Sequence, residues 1–365
     1  MALQPGIYSP KCPSCGGTII YSPDSKHLTC EYCGFSEDLP SEKDQIVETK
    51  LDLQKNQYEE FDLDKTTEKL LQCSSCGAQF SIFHEQLKVN CPFCNSEKIH
   101  EEAVLQKLIK PVGIIPFYLG KREAEKKFGI WLGQGWFHPA GLKNAATLDH
   151  LQGIYIPFWT FDFQANAEWC GEAGYEYTSY QTVFVNGKMQ SQPVTKIRWE
   201  YRSGILNHFF DDVLVAASDR IDSRYREKVS GYKLSEMLNF DKRYLLGWQA
   251  EVYNQDIQTS YPLAEEMVYE QVRHMCAAQL GGNVQRNLSV QTNLSKQTFK
   301  HIYLPLWLSS YNYNGKIYHV LINGQTGKVI GDKPLSWLKI SLLVFSFLLI
   351  IFVIWWLKES GIVRL

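Results

Sequence analysis

Eight of the ten cysteines stand in four Cys-x-x-Cys pairs, and the pairs form two copies of one frame. Cys12 and Cys15 are followed after fourteen residues by Cys30 and Cys33; Cys73 and Cys76 are followed after fourteen by Cys91 and Cys94. Each cysteine of the second set lies 61 positions after its counterpart. A Cys-x-x-Cys pair puts two sulfurs on one tight turn, and a second such turn completes a tetrahedron around one ion. All eight ligands are thiolates, so each site is closed to water and substrate, and the chemistry expected is a structural Zn²⁺ in each tetrad. A redox dithiol is a poor reading of four such turns in a duplicated array. A secreted disulfide framework is also disfavoured, because residues Met1 to Pro10 lack the apolar stretch of a signal peptide.

Knuckle turns must position these ligands. Gly16, Gly34 and Gly77 each follow a cysteine, where such a turn needs a residue tolerant of positive φ. The fourteen-residue spacing has room for a β-hairpin, so each frame predicts a zinc ribbon whose metal supplies most of its folding energy. Leu28 and Val89, two residues before each third cysteine, are placed to pack under the ion. His27 and His84 lie inside the hairpins and read as ordinary surface residues.

From Ile340 to Leu357 the chain runs eighteen residues without a charge, flanked by Lys339 and Lys358, with Trp337, Trp355 and Trp356 near the ends. As a helix it would be about 27 Å long, near the hydrocarbon thickness of a bilayer. Core helices are seldom apolar on every face, so a single transmembrane helix is expected, followed by a short tail. Flanking charges do not orient it: Lys333 and Lys339 precede it, and Lys358 and Arg364 follow. Thiolate sites need a reducing compartment, which places the large N-terminal part in the cytoplasm of a tail-anchored protein.

Residues 1–100 carry nine lysines, no arginine and fifteen acidic residues. Two zinc tetrathiolates add further negative charge. Nucleic-acid binding rests on Lys and Arg neutralising phosphate, so this region has the wrong sign for it and suits protein docking better. The acidic stretch 37–71 reads as a mobile linker with some helical pattern at Val47 and Leu51.

The middle of the chain is rich in aromatics and carries a second, fainter repeat. Tyr155-Ile156-Pro157-Phe158-Trp159 is echoed 148 residues on by Tyr303-Leu304-Pro305-Leu306-Trp307, and more briefly by Ile115-Pro116-Phe117-Tyr118. Alternating residues follow (Phe161, Phe163, Ala165; Tyr311, Tyr313), and each copy reaches an Asn-Gly pair, Asn186-Gly187 and Asn323-Gly324. These are hairpin signals, and the prolines suggest an edge or a strand's first position. Two related antiparallel β units separated by an insert are expected. Helices are predicted over Lys121 to Leu132, facing inward with Ala124, Phe128 and Trp131 or Leu132, and over Tyr261 to Leu280, capped by Ser260, with a stripe of Leu263, Met267, Val268, Val272 and Met275. Cys170 and Cys276 read as buried thiols.

No catalytic signature accompanies these elements. Gly324-Gln325-Thr326-Gly327-Lys328 lacks the spacing of a phosphate loop and reads as a hairpin turn. Asp211-Asp212 and the group Asp219, Arg220, Asp222, Arg224, Arg226 and Glu227 read as a solvated, ion-paired surface.

Taken together, the first ribbon's cysteine pattern, the second ribbon, Ile114-Ile115-Pro116-Phe117, Trp136-Phe137-His138-Pro139-Ala140-Gly141-Leu142, Leu151 to Trp159 and the late stretch Asn323 to Pro334 resemble a bacterial family of double zinc-ribbon membrane proteins. Their ribbon is of the transcription-factor-B type, and members are often labelled as similar to primosomal protein N-prime, a superfamily II helicase. That label implies a motor with a phosphate-binding loop; this sequence has no motor motif. Other members resemble membrane adaptors of envelope-stress systems that recruit a peripheral coat protein. The resemblance therefore implies a membrane adaptor.

The sequence thus predicts a multidomain chain. Zinc ribbon 1 occupies 1–36, an acidic linker 37–71, zinc ribbon 2 72–100, an α+β aromatic-rich domain with antiparallel sheets 101–333, a transmembrane helix 336–357 and a tail 358–365. The expected function is a non-catalytic, membrane-anchored adaptor for cytosolic proteins. The alternative is a nucleic-acid-binding accessory tethered to the membrane, with a basic face around Arg220, Arg224, Arg226 and Lys228.

Overall fold

The computed structural model describes residues 11–39, 46–51, 60–61, 68–83, 89–101, 108–139, 141–142, 147–185, 188–220, 225 and 231–359. His84, the Asn186-Gly187 turn, Asp222, Arg224, Arg226, Glu227, Lys228, most of the stretch 37–71 and residues 360–365 lie outside the described residues.

Two very long strands organise the chain: β11 (Thr147–Val185) and β15 (Val284–Tyr313). They pair antiparallel along most of their length, and Ile156 faces Leu304 where the two repeat copies meet. Tyr155 lies opposite Pro305, and Pro157 opposite Tyr303. The copies are therefore side by side, related by a local two-fold. The flanking strands obey it as well. β14 (Gln249–Glu251) runs parallel to β11 at Ile154 and Tyr155, as β10 (Gly113–Ile114) runs parallel to β15 at Ile302 and Tyr303. β12 (Lys188–Ala216) joins β11 antiparallel from Phe158, as β16 (Lys316–Asn323) joins β15 from Leu306.

This symmetry explains the prolines, which are not at strand starts or sheet edges as expected. Pro157 and Pro305 lie within long central strands. The Pro157 carbonyl accepts from Ala217 N at 3.0 Å and the Pro305 carbonyl from Gly324 N at 2.9 Å. Each proline thus turns its backbone polar atoms toward a flank where one neighbouring strand stops and another begins. A missing N–H there breaks no ladder.

The aromatic residues of the repeat fill the core around Phe117. Its ring stacks on Trp248 at 4.0 Å and meets Tyr155 and Trp307 edge-on at 5.1 and 5.2 Å. The Tyr155 hydroxyl accepts from Phe117 N. Edge-to-face and offset contacts of this kind suit aromatic quadrupoles.

Helix α1 (Lys121–Leu132) buries Ala124, Phe128 and Leu132, the face the sequence predicted. Helix α2 (Ile257–Leu280) starts earlier than predicted, and Asp256 rather than Ser260 caps it: the Asp256 carboxylate accepts from Thr259 N at 2.8 Å. Its buried face is Ile257, Tyr261, Ala264, Val268, Val272, Cys276 and Leu280, while Leu263 and Met267 are exposed. This face covers Phe161, Phe163, Ala165, Ala167 and Trp169, the odd-numbered side of β11. Cys276 is buried and Cys170 half-buried.

Within the stretch read as a mobile, partly helical linker, the described residues include short strands. β4 (Thr49–Lys50) pairs with β15 at Phe299 and Thr298, and Glu60–Phe61 pairs with Leu108–Ile109. Beside β4 lies an ionic cluster. A bulge places Asp211 and Asp212 opposite Asp162, with Asp212 at φ 54°. The buried Lys300 ammonium lies 2.7 Å from Asp212, 3.2 Å from Glu48 and 3.9 Å from Asp162. Burial alone would lower the lysine, but the bond to Asp212 and the neighbouring carboxylates outweigh it and raise its pKa. Asp212 thus belongs to a partly buried network rather than a solvated surface, while Asp211 beside it stays exposed.

Lys300→Met should destabilise the protein by about 3–5 kcal/mol, because it strands carboxylates that have little water to turn to. Chemical unfolding of the full chain in detergent checks this; a loss below about 1 kcal/mol would mean that water already solvates the cluster.

Candidate metal centres

Four turns carry the eight cysteines, and all four share one backbone pattern. In the first, Gly16 N donates to Cys12 O at 2.8 Å and Cys12 N to Gly17 O at 2.6 Å. The pattern recurs with Gly34 and Phe35 on Cys30, with Gly77 and Ala78 on Cys73, and with Asn95 and Ser96 on Cys91. The fourth residue has positive φ each time: 73°, 73° and 71° at the glycines and 57° at Asn95. Asparagine tolerates this region better than other residues with a Cβ, so the fourth turn needs no glycine.

The turns bring each set of four sulfurs together, all within 4.8 Å of one another. Cys12 to Cys33 is 3.5 Å, and Cys15 to Cys30, Cys73 to Cys94 and Cys76 to Cys91 are each 3.6 Å. A tetrahedron with metal–sulfur bonds of about 2.3 Å has edges of about 3.8 Å, whereas a disulfide requires about 2.05 Å. The spacing fits a four-sulfur metal site and excludes a bridge. All ten cysteines are free.

Electrostatics favour an ion as well. Burial opposes ionisation of Cys12, but the Ser14 and Cys15 N–H groups and the Cys33 thiol outweigh it and lower its pKa to about 7. Cys73 is lowered to about 7 in the same way, by Cys76 and Ser75 N–H and the Cys94 thiol. The Gly17 N–H favours the Cys15 thiolate, yet neighbouring sulfurs overcome it and push that thiol up to about 12. Four thiols this close cannot all ionise unaided; a divalent cation removes the repulsion.

A fifth turn has the same geometry without a cysteine. In the loop read as a hairpin turn, Gly327 N donates to Asn323 O and Asn323 N to Lys328 O, with Gly327 at φ 73°. The Asn323 side-chain oxygen accepts from Gln325 N and Thr326 N, each at 2.9 Å. The carboxamide occupies the place that thiolates hold in the other turns, and the loop is no phosphate cradle.

Both centres are built into the large domain. β1 (Ile19–Ser22) and β2 (His27–Cys30) form the first hairpin, with Leu28 buried beneath it and His27 half-exposed, 2.8 Å from Asp38. Tyr21 joins this hairpin to the aromatic core: its hydroxyl donates to Phe117 O at 3.2 Å, and Trp248 Nε1 donates to Tyr21 O at 3.0 Å. Gly247 lets Ile20 approach, since a Cβ there would sit 2.7 Å from the Ile20 side chain.

The second centre is held by strands. β6 (Glu68–Cys73) and β7 (Gln79–Phe83) join the main sheet through β14, with Ile82 opposite Gln249 and Phe80 opposite Glu251. The Arg220 guanidinium donates to Cys76 O at 2.6 Å and Gly77 O at 3.1 Å, clamping a ligand turn. Ser218 beside it donates to buried Glu251 at 2.6 Å. Sequence reading left Arg220 on an ion-paired surface; its 3.5 Å contact with Asp219 remains, but the backbone carbonyls are its main partners. Nothing local in the sequence marks this, because the partners are 144 residues apart.

These features define a class: a chain with two four-cysteine clusters of metal-site spacing docked on one mixed sheet of twelve strands among the described residues, with an apolar helix over Trp337–Trp356. No protein-family model and no solved structure matches it. The chain is similar to the uncharacterized protein YdjG of Bacillus subtilis (strain 168), with 27% identity over 335 residues, covering 90% of this chain and 91% of the relative.

Two outcomes test this site. Cys73→Ser should halve the metal content measured by elemental analysis, and should lower the thermal midpoint of the large domain too, since β7 is a strand of its sheet; unchanged metal would refute the cluster. Burial raises the Glu251 carboxyl from the ordinary 4.5 to about 8. The folded state then holds a proton that the unfolded chain has released, so stability falls as pH rises between these values, by at most about 1.4 kcal/mol per unit. Glu251→Gln should flatten the decline between pH 6 and 8 in metal-replete protein; an unaltered slope would show that Glu251 is already ionised.

Proposed function

We propose that the protein is a membrane-anchored zinc-ribbon scaffold that docks other proteins at the cytoplasmic face of a membrane, without catalysis of its own. The observation that carries this reading is helix α3 (Trp337–Glu359). Its stretch Trp337–Trp356 is long and apolar enough to cross a membrane, and none of it is buried by the rest of the chain. An apolar helix with no protein cover needs a non-aqueous neighbour, and a bilayer matches its length. The ions are taken to be zinc, because four thiolates in a closed tetrahedron suit Zn²⁺. Thiolate centres favour a reducing compartment, so the ribbons are assigned to the cytoplasm.

A docking surface supports the scaffold reading. β15 stops pairing with β11 at Gly174, where Val284 begins. Beyond that point β11 and β12 continue alone as a two-stranded arm to Val185 and Lys188. The arm is about 35 Å long at the rise of extended chain. Tyr180, Phe184 and Met189 on one of its faces are 73%, 71% and 75% exposed. Phe184 lies opposite Met189, and Tyr201, Ile205 and Phe209 continue the exposed apolar row toward the body. Apolar side chains in such a row are common in protein contacts. The nucleic-acid alternative loses one of its cations, because Arg220 is engaged with Cys76 and Gly77.

The full chain should stay in the membrane fraction through alkaline carbonate extraction, with its cysteine-rich part digested by protease only from the cytoplasmic side. Phe184→Ser with Met189→Ser should abolish capture of a partner while leaving metal content and thermal midpoint unchanged. Salt-sensitive retention on DNA or heparin, unaffected by those substitutions, would overturn the scaffold in favour of a nucleic-acid tether.

A further inference from the structure

We propose that the loop after α1 is a second membrane contact, with Trp136 and Phe137 set into the lipid interface beside the apolar helix; this rests on the anchoring reading above. The loop is fastened to the start of α3. Ser336 N donates to Phe137 O at 2.7 Å, and His138 Nδ1 donates to Pro334 O at 2.8 Å. Lys339 Nζ, one turn into the helix, donates to His138 O at 2.9 Å. Lys333 reaches the other side of the loop, donating to the carbonyls of Trp131 and Gln134 and lying 4.2 Å from the Trp131 ring.

These bonds fix depth. Each helical residue advances about 1.5 Å, so the loop lies within about 5 Å, along the helix axis, of the first residue of the apolar stretch. A bilayer that takes up Trp337 has its headgroups at the level of Trp136 and Phe137. The loop is shaped for that level. Gly135, at φ 98°, turns the chain, and a Cβ there would meet the His138 ring at 2.5 Å. The turn leaves Trp136 61% and Phe137 45% exposed, their rings edge-to-face at 5.4 Å. Ile130 on α1 and Leu335, Trp337 and Leu338 are exposed beside them. Aromatic rings with one polar edge prefer the membrane–water boundary, and the adjacent lysines already have carbonyl partners, so bringing them to lipid leaves no bare ammonium.

The two contacts together hold the domain at a set angle on the membrane instead of letting it swing on a tether. Lipid is the assigned occupant because the loop is bonded to the span itself; a protein or a second copy in its place is an outcome of the test.

The test uses the full chain, labelled with 5-fluorotryptophan at its ten tryptophans, in phosphatidylcholine–phosphatidylglycerol nanodiscs. Trp136→Phe, Trp199→Phe, Trp337→Phe and Trp356→Phe assign the four resonances by loss. A lipid with a nitroxide at the upper acyl chain should reduce the Trp136 and Trp337 signals by at least half, and should leave Trp199, opposite Gly174 at the base of the β11–β12 arm, unchanged. If Trp356 responds to lipid nitroxide and Trp136 does not, the loop inference fails while the anchor stands. If neither responds, the anchoring reading fails. Broadening of Trp136 only when discs hold two copies, one carrying the nitroxide, assigns the loop to self-association and overturns the lipid contact.

Discussion

The pairing of β11 with β15 about Ile156 and Leu304 is the interaction on which the rest of the molecule depends. It joins segments 148 residues apart, so its loop-closure entropy is high, and burial of the aromatic repeat must offset it. Once made, it sets every other position. β14 and β10 dock on its two flanks in equivalent places, β12 and β16 begin where the prolines allow, and α2 covers one face. Those placements seat the two cysteine clusters: the Tyr21 hydroxyl donates to Phe117 O, and β7 pairs with β14.

The two clusters are thus tied into the larger domain: the second belongs to its main sheet, and the first sits in a separate three-stranded sheet laid against it. Small ribbons usually depend on metal because they bury little apolar surface. Here the rest of the chain supports the clusters as well. Arg220 and β14 support the second centre from outside, and the first lies against Trp248 and Leu246. A thiolate turn and the Asn323 turn use the same backbone N–H geometry for the same reason, since converging amide dipoles need an acceptor. Whether that acceptor is a thiolate or a carboxamide decides whether the turn can ligate a cation.

Several buried polar groups hold segments together. Lys300 bridges three carboxylates at a bulge, Glu251 is held beside Ser218, and Lys333 and Lys339 bind carbonyls at the foot of α3. Apolar surface, in contrast, is left uncovered along the β11–β12 arm and at the helix with its neighbouring loop.

What the sequence determined by itself was local and periodic. Cysteine spacing specified two tetrads, because ligand turns close over a few residues. The period of Lys121 to Leu132 specified α1 and its face. An apolar run specified α3. The Asn323 loop was legible as a turn from its residue types. Tertiary structure decided what distance hides. The stripe of α2 was misplaced at Leu263 and Met267 because its true face, running from Ile257 through Cys276, is chosen by the sheet it covers. Pro157 and Pro305 looked like strand starts because their tolerance depends on neighbours that end beside them. Arg220 looked like a surface ion because its carbonyl partners come from a ribbon 144 residues away, and no pattern within one segment encodes a contact that only folding creates.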